Sequence, residues 1–148
     1  MSAARIKPRT LLTGVWLVSF LIALLMIELM INRENADGLV FLLEEDRLDA
    51  MMPVIKIYTG YLVGLLAFWF LRPFPKARTD RAERVRFRLA MACTVFFNLL
   101  VIYMVARGVV FPRMLIDGYL QQATTLAALL SFLVAPVNLY YFGMKMAN

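Results

Sequence analysis

Glu28 stands in LLMIELMI (24–31) and Lys56 in MMPVIKIYTG (51–60), one ionisable side chain in each of two otherwise apolar runs. A carboxylate in hydrocarbon can relay a proton, admit a cation or neutralise a neighbouring ammonium, and a lone charge there costs several kcal/mol. Asn98 and Asn138 place carboxamides in two further apolar runs. Amides bond across helices where water is scarce, at about 0.6–2 kcal/mol each, so they read first as interhelical glue. Their second reading is a polar-lined inner cavity beside the helix-distorting Pro136.

Other chemistry is sparse. The chain has no histidine, which removes His-ligated haem, most zinc sites and His-based acid–base catalysis. No two of its ten acids share an apolar run, so no carboxylate dyad forms within the membrane. Gly-rich phosphate loops, G-x-S-x-G and C-x-x-C are absent from the sequence, and the single Cys93 cannot form an intramolecular disulfide. Met26, Met30, Met51 and Met52 carry thioethers suited to Cu(I), but methionine is also ordinary flexible packing. Neither enzyme activity nor a cofactor nor a metal site is expected.

The elements that hold these residues follow from composition. With 62% apolar residues, 18% charged residues and a mean hydropathy of +0.73, the chain lies outside the soluble range. The apolar residues gather into four runs, at about 11–31, 51–71, 89–111 and 122–144. Each is long enough, at 1.5 Å per residue, to cross a hydrocarbon core of about 30 Å. The expected fold is all-α, one transmembrane domain built as a four-helix bundle. The first run exceeds a signal peptide's apolar region, and no small-x-small site follows it in INRENADG, so it reads as a retained anchor.

Cations orient the bundle, because segments rich in Lys and Arg resist translocation. Eleven of the sixteen lie in the N-terminal segment, in the loop 72–88 and at Lys145, which predicts two cytoplasmic termini. A bacterial inner membrane is the expected home, with an organelle also open. In this orientation Glu28 and Lys56 sit at similar depth near the external boundary. They can pair inside the bundle, snorkel separately to the interface, or form the rim of an entrance.

The two main loops contrast in charge. The external loop 32–50 holds six acids against two arginines, and its Phe41, Leu48 and Met52 fall on one helical side. This suggests a short helix along the outer surface, or a connector packed on the bundle. The cytoplasmic loop carries seven cations. Asp80 and Glu83 have capping-box spacing, so the third helix is expected to begin near Arg81, with Arg81, Arg84 and Arg88 on one face. Those arginines suit anionic headgroups or another phosphate-bearing partner. Nucleic acid is not an expected partner, because the loop offers neither a groove-reading element nor an aromatic platform.

Small residues complete the pattern. Gly60 and Gly64 form a G-x-x-x-G pair in the second run, and Ala127, Ser131 and Ala135 repeat the spacing in the fourth. Such faces let helices approach closely, within one chain or between subunits. The segments RFRLAMACTVFFNLLVIYMV and SFLVAPVNLYYFGMK resemble the small four-span GtrA family, associated with moving lipid-linked sugars, through Phe87, Asn98 and Asn138. The likeness covers less than half of the chain and lacks that family's glycines and basic-aromatic ending, so no membership is assigned. What it implies is lipid-substrate transport. The expected function is a non-enzymatic subunit of a homo-oligomer or of an assembly with another membrane protein. The alternative is a small transporter or pore: an oligomeric ion channel, or a flippase-like carrier of a phosphate-bearing lipid.

Overall fold

A computed structural model describes residues 8–34, 38, 40, 42–71, 81–110 and 116–143. They form four long helices: α1 (Pro8–Glu28), α2 (Arg47–Leu71), α3 (Arg81–Val110) and α4 (Ile116–Gly143). A 3-10 turn, Glu44–Asp46, leads directly into α2. All four helices are long and apolar enough to cross a membrane.

The helices pack in a ring, α1 against α2, α2 against α4, α4 against α3, and α3 against α1. Neighbours in sequence run antiparallel. Thr13 meets Trp69 and Glu28 meets Arg47 across α1 and α2, while Phe87 meets Tyr141 and Thr94 meets Asn138 across α3 and α4. The start of α1 and the end of α4 therefore share one end of the bundle, where the Arg9 guanidinium lies 5.7 Å from the centre of the Tyr141 ring.

Each helix buries one stripe at helical spacing. On α1 it is Leu12, Trp16, Ser19, Ala23, Ile27 and Met30 just beyond its end; on α3 it is Ala90, Thr94, Phe97, Asn98, Val101 and Val105. These steps of three and four residues are the α-helical period. The opposite faces are as apolar as the buried ones: Phe70 and Phe132 are 84% and 82% exposed. Apolar side chains all round a helix suit a lipid surround, where no polar outer face is needed.

Local chemistry sets the helix ends. α1 begins at Pro8, whose missing N–H costs nothing in a first turn. It ends at Glu28, followed by Asn32 at φ 54°, a left-handed conformation that asparagine tolerates better than most residues. Isolated bridges Ile31–Leu42 and Glu34–Val40 then join the two arms of the connecting loop, and Leu42 is buried. Among the described residues of this loop the 3-10 turn continues into α2, leaving Leu48 and Met52 exposed, and the surface helix, one of the two forms expected of the loop, is not found among them. Phe41 lies outside the described residues, as do Asp80 and most of the basic loop. α3 begins at Arg81, and α4 begins at Ile116, six residues before the apolar run expected from 122.

Candidate functional site

The bundle interior is closed by aromatic rings in the half nearer the chain termini. Trp16 of α1 stacks on Tyr61 of α2 with centroids 4.2 Å apart and planes at 18°, and meets Tyr58 edge-on at 6.0 Å. Phe97 of α3 packs against both Trp16 and Tyr61, at 5.4 and 5.3 Å. Trp16, Tyr58 and Phe97 are fully buried. Offset and tilted ring pairs of this kind add about 0.5–1.5 kcal/mol each beyond area burial.

Beside this plug lies a polar cluster. The Asn98 amide Nδ2 donates to the Thr94 carbonyl one turn back on α3, at 2.8 Å. The Thr94 hydroxyl donates to Asn138 Oδ1 on α4, at 3.2 Å. The cross-helix link is thus made by threonine and Asn138, whereas Asn98 bonds within its own helix. Among the described residues, Asn98 Oδ1 and Asn138 Nδ2 are buried without partners, as are the hydroxyls of Tyr58 and Tyr61. Each unpaired buried polar group costs about 1–3 kcal/mol.

Asn138 and Tyr61 also line a cleft of about 320 Å³ between α2 and α4. Its other walls are Gly60, Gly64, Leu65, Ser131 and Ala135, with Trp16 behind them. Within the chain these small residues line an open cleft. A Cβ added at Gly60 or at Gly64 would meet nothing within 4 Å. Both glycines are exposed, so their empty surroundings are the open side of the cleft, while Trp16 and Tyr61 stack between α1 and α2 behind it. Ala127, one turn from Ser131, is buried in the core. The Ser131 hydroxyl donates to the Ala128 carbonyl at 2.6 Å, and so does not serve the carbonyl that Pro136 leaves without its usual donor.

Glu28 is held otherwise than its depth suggested. Its Oε1 is 2.7 Å from Arg47 Nη2, at the junction between α1 and α2. Lys56, the expected partner, is exposed. It lies two residues from each of buried Val54 and Tyr58, which turns it to the far side of α2. Arg84 and Arg88 are exposed on α3, while the side chain of Arg81 is outside the described residues. Met30 is 3% exposed, and its methyl carbon lies 3.5 Å from a Cβ built at Gly108, a core-packing position.

The chain matches no family model, no curated protein and no solved structure. The GtrA likeness of Phe87, Asn98 and Asn138 is left without support. The site therefore rests on its geometry. Trp16, Tyr61, Leu65 and Thr94 belong to it beyond the residues singled out from sequence. Thr94 carries a signal, since it stands one helical turn from Asn98; the aromatic residues are ordinary members of apolar runs until the helices are assembled.

Proposed function

We propose that the chain is a non-enzymatic, multi-pass protein of a cell's inner membrane, with both termini cytoplasmic, that works as a subunit of a larger membrane assembly. The observation carrying this reading is the filled interior. Trp16, Tyr58 and Phe97, with Val101 and Val105 beyond them, occupy the axis where a single-chain pore would run. Interaction then falls to the outer faces, where Leu21, Leu25, Phe70, Leu129 and Phe132 are exposed. The cation bias supports the orientation, and the shared end of Arg9 and Tyr141 agrees with it.

Particle mass tests the assembly. Gentle detergent extraction followed by native mass spectrometry should give a complex of two or more polypeptides; a lone chain at every protein concentration contradicts the proposal. Reporter fusions at both ends should report cytoplasm. A second reading, a carrier of lipid, is favoured by one observation, the cleft between α2 and α4, which no side chain of the described bundle fills.

A further inference from the structure

The cleft joins two features that differ in kind. One is a stripe of missing side chains, Gly60 and Gly64 facing Ser131 and Ala135, with open space at both glycines. The other is a hydrogen-bond donor without an acceptor: Asn138 lines the cleft, is 6% exposed, and its Nδ2 has no partner among the described residues. A cavity needing only apolar filling would not account for the donor. Gly60 and Gly64 are themselves exposed, so the cleft opens to the surround of the bundle.

Depth narrows the occupant. Tyr141 and Arg9 form an aromatic–cation pair at the terminal end of the bundle, the kind of contact found where a membrane meets water. Asn138 is three residues deeper, about 4.5 Å along the helix. The groups at that level in a bilayer are the ester carbonyls of glycerolipids, with acyl chains running on toward the midplane. Moving inward from Asn138, the cleft passes Ala135 and Ser131 on α4 and Gly64 and Gly60 on α2. Its volume of about 320 Å³ is at the lower end of small-molecule pockets, which begin near 300 Å³. It suits a segment of one chain.

We propose that the α2–α4 cleft binds a diacyl glycerolipid, with an ester carbonyl accepting from Asn138 and the attached acyl chain lying along Gly60 and Gly64. This rests on the membrane placement but not on the subunit reading, since a monomer can hold a lipid and an oligomer can lack one. The small residues admit the chain, and the carbonyl relieves a donor that hydrocarbon leaves unsatisfied.

The test uses the full-length chain in mixed micelles containing equal amounts of diester and diether phosphatidylglycerol of matched chain length. The two lipids differ at the linkage, where only the diester has carbonyls. Native mass spectrometry should show the diester retained about tenfold over the diether, the order of one buried hydrogen bond. Asn138→Leu should abolish that preference. Because this variant also removes the acceptor for Thr94, Gly64→Leu serves as a second: it leaves the Thr94–Asn138 bond intact, fills the cleft and should lose both lipids. Equal retention of diester and diether by the native chain overturns the proposal, as does a preference unchanged in Asn138→Leu. So does a cleft held instead by a quinone or by a second copy of the chain.

Discussion

Gly108 and the pair Gly60/Gly64 are glycines on neighbouring walls of one bundle, and they do opposite things. A Cβ at Gly108 would come within 3.2 Å of Tyr119 Cδ2 and 3.5 Å of the Met30 methyl, so hydrogen is what lets α3 and α4 close on each other there. At Gly60 and Gly64 the same addition meets nothing within 4 Å. The G-x-x-x-G spacing is at the open wall, and the isolated glycine is at the tight one. Spacing alone says that two small residues share a helix face; what that face meets depends on the large side chains opposite. Gly60 and Gly64 are exposed along the open α2–α4 cleft, whereas the Tyr119 ring packs against Gly108.

The largest effect should come from the ring at the centre of the aromatic cluster behind the cleft. Trp16→Ala removes the ring that touches Tyr58, Tyr61 and Phe97, and unfolding in mixed micelles should show a loss of about 3–5 kcal/mol. Next, Gly108→Val should destabilise by about 1–3 kcal/mol through overpacking, while Gly64→Val should be neutral or gain a few tenths from helix propensity. If both valines cost the same, the two walls are alike and the comparison fails. Thr94→Val should cost about 1–2 kcal/mol by stripping Asn138 Oδ1 of its donor, against almost nothing for Ser131→Ala, whose bond stays within its own helix. The smallest effect belongs to the far end of the bundle. Arg47→Gln should cost less than about 1 kcal/mol, because the Glu28–Arg47 pair is 37–44% exposed, and Lys56→Gln should leave stability unchanged.

Much of the fold was legible in the sequence for one reason: lipid-length apolar runs separated by charge clusters permit few arrangements other than spanning helices. The start of α3 near Arg81 could be read for the same local reason, a polar stretch with helical capping chemistry before an apolar run. The partner of Glu28 could not. Depth made Lys56 the candidate, and only the phase of α2, fixed by the burial of Val54 and Tyr58, turns Lys56 outward and leaves Glu28 to Arg47. Asn98 and Asn138 were visible as polar outliers, but their linkage runs through Thr94, a residue too ordinary in membrane helices to stand out. The cleft was hidden most deeply. Its walls read as a packing motif, and spacing alone does not say whether such a face meets a neighbouring helix or opens outward, as Gly60 and Gly64 do.

That cleft is tested most directly through Trp16, which is fully buried yet lines it. The chain has two tryptophans, so Trp69→Phe leaves Trp16 as the only indole. In vesicles of phosphatidylglycerol with brominated acyl chains, its fluorescence should be quenched, and adding Gly64→Leu to fill the cleft should restore most of it. Equal quenching with the cleft open and filled would show that no chain enters between α2 and α4, and would contradict the account.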